Sequence, residues 1–493
     1  MAERDKEVEV PQYSLGQPPR RTGLGGLSML TTSVIAAGFM IFLLAQLAGL
    51  GLQVGLVVLL VTALIAAVVT LEWGNRSLAK MGRMAFQHTT RRRSGEDVYL
   101  SGELSKVPGG FHRLPGGLAR TYLVGGIDSD HQPFAAIVDA PARTVTVLFD
   151  CQMTGQTPMT QEERNMKTAE WARWLAMLSL SGDVEHVATV IAVRPGTGQL
   201  VAQEVSSIVG EDIPPIAARV MQEAGETLSI GVPEIVSHIA VTFHVDGEAL
   251  KDNAFLDTMA TRLPGLYRQL GWAGIIASPM DADDTIARVH QFYNPPTEPD
   301  FEELSVMGIS HGMDWEDAGP GYARVGTQTY EHEGCTSVTW EMRDAPRATF
   351  EDGLLTGLLA PHERIERKRV ALVYRPFEAG KGVSRVEGEH RDAMVAANSS
   401  KSIRSANAEL RLEHTEAARR AQARGAQLGK YSLFVTATVT DENDLDRVEH
   451  DVVQLGSGAS VRLHKMARQQ DTGFVTTCGV GQVPWQNETT ELI

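Results

Sequence analysis

The sequence predicts a membrane-anchored α/β (α+β) protein: an N-terminal transmembrane helical hairpin, then a cytosolic body of mixed sheets with packed helices. Three observations carry this expectation. Residues Thr22 to Leu71 run without one Asp, Glu, Lys, Arg or His. Positive charges cluster at both ends of that run. Beyond it, short β-branched runs alternate with segments whose apolar residues recur at helical spacing.

The uncharged run fixes the first elements. As one helix it would extend roughly 75 Å at about 1.5 Å per residue, against a hydrocarbon core of about 30 Å, so it crosses twice. Leu27–Ala48 and Val54–Leu71 are the expected spans, and residues 49–53 turn between them. Helices satisfy their own backbone groups in lipid, which makes the pair a helical hairpin. Arg20 and Arg21 precede the first span. Trp73, at an expected interface position, and Arg76, Lys80, Arg83, Arg91, Arg92 and Arg93 follow the second. Lys and Arg stay on the cytoplasmic side, so both termini are expected there. A cleaved signal peptide, twin-arginine by virtue of Arg20-Arg21, is the rival. Its apolar region is roughly 7–15 residues, shorter than the first run here, and a second span follows at once.

Around this hairpin (22–72) the chain divides into an expected disordered cytoplasmic arm (1–21, with Pro11, Gly16, Pro18 and Pro19) and a basic juxtamembrane segment (73–95). A first α/β domain (96–294), a linker (295–320) opened by Pro295-Pro296, and a second α/β domain (321–493) follow. No internal repeat of solenoid length is apparent. The chain carries a net charge of −16 while residues 76–93 are basic, so the acidity lies in the body. That split suits an anionic leaflet and argues against nucleic-acid binding, which needs phosphate neutralisation. Cys151, Cys335 and Cys478 are far apart without CxxC spacing and read as reduced, buried thiols.

In the body, Val98–Glu103, Arg120–Ile127, Phe134–Val138 and Arg143–Asp150 read as strands. Thr160–Leu180 has helical spacing through Met166, Trp171, Trp174, Leu175 and Leu178. Asp183–Arg194 is an expected strand and Leu200–Ala224 mostly helix, interrupted by Pro214-Pro215. Strand Glu234–Val245, helix Asn253–Leu270, strand Gly274–Ser278 and helix Asp281–Phe292 follow. In the second half, Tyr322–Tyr330 and Thr336–Arg343 read as an antiparallel pair, and Arg369–Tyr374 as a buried strand stopped by Pro376. Gly382–Gly429 reads as a long exposed helix or helix pair. Strand Tyr431–Val439, helix Asp444–Leu455 and strand Ser460–Met466 form an expected β-α-β unit.

No common catalytic signature emerges. Gly380-Lys381-Gly382 lacks the upstream glycine and following Ser or Thr of a phosphate loop and reads as a flexible turn. Asp139 and Asp150 end strands as a Walker B aspartate does, without the loop that would give them meaning. His332 and Cys335 have no second pair to complete a zinc site, and His311, His362 and His464 have no partners at ligand spacing. Asp283 and Asp284 read as helix N-terminal charges. Gly456-Ser457-Gly458 is too short for a nucleophile elbow. Trp171 and Trp174 read as core. No cofactor or metal is expected.

Two stretches carry a family resemblance. Tyr13-Ser14-Leu15-Gly16-Gln17-Pro18-Pro19-Arg20-Arg21, followed by a glycine-rich entry and the hairpin, resembles the small inner-membrane subunit of type IV secretion systems and the related PrgI family. Gly429–Val435, Asp444–Leu455 and Val461-Arg462-Leu463 resemble the last βαβ unit of the N-terminal domain of the large type IV secretion ATPase, and residues 469–481 its closing Gln, aromatic and Gly. In that family a P-loop motor domain follows, and no GxxxxGK[ST] occurs in these 493 residues. The resemblance therefore transfers no catalytic residue. It implies a non-catalytic scaffold in the bacterial inner membrane that positions a separate P-loop ATPase among other secretion subunits, as a homo-oligomer. Asp444–Leu455 and Glu387–Arg424 are the candidate contact faces. The alternatives are a two-span core subunit of type VII secretion and a membrane-tethered enzyme with a dispersed site.

Overall fold

Residues 10–13, 29–49, 51–70, 72–73, 76–105, 110–153, 158–199, 205, 207–208, 213–227, 232–344, 346, 349–399 and 406–485 are described by a computed structural model. The chain divides into two units: residues 17–97 with 487–493, and residues 1–16 with 98–486.

The smaller unit begins with α1 (Met29–Leu47) and α2 (Leu52–Thr70). Gly49 and Gly51, at φ 73° and 83°, supply the left-handed backbone of the turn between them. The helices pack against each other through small residues: a Cβ on Gly38 would overlap Thr62, and one on Gly55 would overlap Gln46. Within α2, Gln53–Thr70 is long and apolar enough to cross a membrane; the apolar stretch of α1, Thr31–Leu47, is shorter. The start of the expected first span, 27–28, lies outside the described residues. A two-residue ladder, β1 (Glu72–Trp73) with β2 (Arg76–Ser77), leads into α3 (Leu78–Ser94).

The larger unit is built on one antiparallel sheet. Its first-half strands are β3 (Val98–Leu100), β4 (Thr121–Ile127), β5 (Pro133–Asp139), β6 (Thr144–Met153), β7 (Val184–Pro195), β8 (Pro233–His244) and β9 (Ile275–Pro279). The second half adds β10 (Tyr322–Val325), β11 (Tyr330–His332), β12 (Cys335–Asp344), β13 (Arg367–Pro376), β14 (Gly429–Val439) and β15 (Arg462–Lys465). Helix α4 (Gln161–Ser181) starts at a capping box between Thr160 and Glu163 and stops at Gly182. There follow α5 (Pro215–Thr227), α6 (Phe255–Trp272), α7 (Ala282–Tyr293, capped by Asp281), α8 (Glu298–Met307) and the single turn α9 (Thr356–Leu359). The last are α10 (Ala379–Ser399), α11 (Ala406–Ala423), α12 (Leu445–Gly458) and α13 (Gln470–Cys478). Helices α7 and α13 cover one face of the sheet; α4 and α6, then α9 and α12, cover the other.

The strand order, β3-β10-β11-β12-β14-β13-β7-β8-β6-β5-β4, reads alike from both sides of its centre. From the edge inward, β4-β5-β6-β8-β7 matches β10-β11-β12-β14-β13, with β9 on β6 and β15 on β12. Register agrees. Val145 faces Phe243 and Thr336 faces Val439; Phe149 faces Pro279 and Trp340 faces Lys465. Val187 faces Val241 and Lys368 faces Ala437. That correspondence equates Val190 with Ala371, and these two face each other across β7 and β13, so a pseudo-two-fold axis passes between them. Side chains repeat too. Thr146 meets Thr242 at 2.9 Å and Ser337 meets Thr438 at 2.7 Å. The amide of Met280 donates to Leu148 O and that of Met466 to Thr339 O, both at 2.9 Å. The body is an internal duplication fused through its central strand pair.

One ion pair recurs with its charges exchanged. Arg262 on α6 grips Asp183 before β7, with one contact at 3.0 Å; Asp451 on α12 holds Arg364 before β13 at 2.9 Å. Reversing one partner, Asp183→Arg, should cost about 1–2 kcal/mol by placing two guanidinium groups together. The double variant D183R/R262D should recover that cost, though not the stacking of Arg262 on Phe243 at 4.6 Å. Urea denaturation of the four-member cycle measures it. A double variant as unstable as the sum of the singles refutes the equivalence.

Several expectations are corrected. The body has one sheet drawing strands from both halves, not two domains with separate mixed sheets, and residues 98–486 fall in one unit. The expected linker 295–320 contains a 3-10 turn (Pro295–Thr297), α8, and a second turn (Trp315–Ala318) whose buried Trp315 donates to Thr121 at 3.0 Å. Pro295-Pro296 starts structure here, because proline fits a first turn whose amides need no partner. The pair expected from Tyr322–Tyr330 and Thr336–Arg343 is a three-strand meander. The β-α-β unit is split: β14 and β15 run parallel with β12 between them. The arm is not wholly free, since Tyr13 exchanges backbone hydrogen bonds with Phe350 at 2.8 and 2.9 Å.

Candidate functional site

The smaller unit presents the chemistry the sequence singled out. Along α1 and α2 large apolar side chains point outward: Leu47 is 86 % exposed, Leu60 70 % and Leu64 62 %. Water does not tolerate a contiguous apolar surface of this kind, since each such side chain gains about 1.5–3 kcal/mol on burial. Polar groups inside the pair are drawn back to the backbone: Thr62 donates to Val58 O at 2.8 Å and Thr70 to Ala66 O at 2.6 Å.

Of the expected membrane-orienting residues, Arg20 and Arg21 lie outside the described residues. Trp73 and Arg76 face each other in the β1–β2 ladder. Lys80, Arg83, Arg91, Arg92 and Arg93 all fall on α3, a helix with no acidic residue, together with an outward Phe86. Met84 alone of the α3 side chains is buried. Composition revealed the cations; their gathering on one helix was not foreseen.

In the larger unit the dismissed motifs have structural partners. Gly380-Lys381-Gly382 is not a turn: it lies in the first turn of α10, directly after β13, and Lys381 pairs with Glu378 at 2.9 Å. Asp139 pairs with Arg120 at 2.9 Å and accepts from Gln482 at 3.0 Å; Asp150 pairs with Arg288 at 2.8 Å. Asp283 and Asp284 occupy the first turn of α7, where burial raises the Asp284 carboxyl above its usual range. Gly456-Ser457-Gly458 ends α12. Trp171 and Trp174 stack at 5.2 Å, and the buried Trp174 donates to Leu266 O at 3.1 Å. The three cysteines are free and buried, and burial pushes Cys151 up to about 12 and Cys478 up to about 11.

Sequence reasoning missed a buried polar centre under α7 and α13. Arg369 is sandwiched between the rings of Phe292 and Phe474, at 4.5 and 4.4 Å, with its Nε and Nη2 unpartnered. The Tyr293 hydroxyl beside it also lacks a partner, and burial raises its pKa well above the ordinary value. His332 bonds Tyr293 O and, at 2.8 Å, Ser337; His238 bonds Cys478 O at 3.1 Å. Burial lowers His186, His238 and His332 each to about 3, so all three are neutral. His332 is thus a core histidine. The available signal was the basic triplet Arg367-Lys368-Arg369 running directly into the apolar stretch 370–374. The group is sealed from solvent and reads as a specificity element of the core. Among the described residues no three His, Cys, Asp or Glu side chains converge as a metal site.

No protein-family model matches the chain, and no curated protein is significantly similar to it.

Proposed function

We propose that this chain is a non-catalytic inner-membrane component of a conjugative, type IV-like secretion apparatus, anchored by a two-span hairpin and holding a separate P-loop ATPase at the cytoplasmic face. One observation carries the membrane part: an outward-facing apolar helix pair followed by an acid-free helix with five cations. In lipid the first loses its cost and the second orients it, since Lys and Arg remain cytoplasmic and attract anionic headgroups. The secretion part rests on the order of elements, the hairpin ahead of the body and the β14-α12-β15 unit late in it, and on the segments that resemble that family.

The experiment is a topology and partner assay in native membranes. Reporters at Gly49 and at Ile493 should place the turn outside and the tail inside. The purified chain should hydrolyse no ATP by itself, yet crosslink to a P-loop ATPase produced with it. An external Ile493, or ATP turnover by the isolated chain, would refute the proposal.

A further inference from the structure

The two repeats differ in what covers their outer faces. Between β6 and β7 the first carries the 21-residue α4, whereas between β12 and β13 the second has, among the described residues, the four-residue α9 as its one helix. In the first repeat α4 lies on α6, and Trp174 bonds Leu266, one helical turn beyond Arg262. In the second, α12 replaces α6 and Asp451 stands in for Arg262. One turn further, the counterpart of Leu266 is Leu455.

Leu455, only partly buried, packs at the edge of the core cluster that contains Trp340. A cleft of about 480 Å³ opens there between α9 and α12, lined by Leu354, Gly357, His362, Arg364, Asp451 and Leu455 among others. In its wall Asp451 is only 3 % exposed; one carboxylate oxygen holds Arg364, and the other is buried without a hydrogen-bond partner. A buried acceptor left unsatisfied costs about 1–3 kcal/mol and is answered by a donor. The segments forming the cleft also carry exposed Glu351, Glu363 and Asp446, while their two arginines, Arg364 and Arg447, are paired with Asp451 and Asp444.

We propose that this cleft receives a helix of the partner ATPase, inserting an apolar or aromatic side chain against Leu455 and a basic residue toward Asp451, so completing the second repeat as α4 completes the first. Naming the partner as the ATPase rests on the function proposed above; the cleft and its chemistry do not.

The test is photo-crosslinking of the full chain in membranes, with the ATPase co-produced and p-benzoylphenylalanine at Gln454 or, on the opposite repeat, at Trp272. Adducts from Gln454 should map to an ATPase helix containing Lys or Arg. They should fall about tenfold in Gly357→Trp, where a Cβ meets open space, and in E363K/D446K, which reverses two exposed charges. Adducts undiminished by both variants, or formed only from Trp272, overturn the cleft while leaving the secretion role intact. Adducts from Gln454 only to a second copy of this chain overturn the ATPase as occupant. ATPase adducts from neither position overturn both this inference and the reading beneath it.

Discussion

A variant lacking residues 22–72 should leave the membrane: after alkaline extraction the intact chain stays in the pellet, and the shortened chain moves to the supernatant. The magnitude follows from side chains already described. Leu44, Leu47, Val57, Leu60 and Leu64 face outward, and at about 2 kcal/mol each their transfer to lipid is worth about 10 kcal/mol. That corresponds to about seven orders of magnitude in partition. The basic helix alone gives about 1 kcal/mol per cation near an anionic surface, and salt screens it. High salt should therefore strip any residual binding of the shortened chain and none of the intact one. A shortened chain that remains in the alkaline pellet would show that the apolar pair is not the anchor.

Acidification should unfold the body well before its carboxylates titrate fully. His186, His238 and His332 are neutral in the fold at about 3 and titrate near 6.5 when unfolded. Between those values the unfolded chain binds more protons, so stability is complete above about pH 6.5 and is lost as pH falls toward 3. At pH 5 each histidine costs about 2 kcal/mol and the three together about 6, a large share of the 5–15 kcal/mol of a typical domain. Asp284 and Glu298, raised by burial, act oppositely and return part of the loss as they protonate. Urea midpoints at pH 7 and pH 5 measure the balance. His238→Gln, which removes one of the three, should reduce the difference by about a third. Equal midpoints at the two pH values would refute the account.

Local elements were legible because their signals are local. The helical spacing from Met166 to Leu178, the acids Asp283 and Asp284 at the start of α7 and the β-branched runs placed helices and strands near their observed bounds. What failed was long-range. Pro295-Pro296 looked like a break, although Glu298 and Asp300 behind it are the acids of a helix first turn. The duplication left a trace that was overlooked: Val190-Ile191-Ala192-Val193-Arg194-Pro195 aligns with Ala371-Leu372-Val373-Tyr374-Arg375-Pro376, and each Arg-Pro ends its strand. Little else survives, because core positions demand only apolar character and the connections between them diverged, most of all α4 against α9. The helix pair α1–α2 and the cations of α3 were readable from composition. The cleft was not, since its walls come from two segments far apart in the sequence, and an ion pair with swapped charges hides its own kinship.

The pairing of Val190 with Ala371 also constrains synthesis on the ribosome. When β7 leaves the exit tunnel its β13-facing edge has no neighbour, and the strand that will cover it lies about 180 residues further on. At about 5–20 residues per second, the nascent polypeptide waits roughly 10–40 s with an open, apolar edge. Such an edge is a template for unwanted association between adjacent ribosomes. Successful production should therefore depend on chaperone cover during that interval.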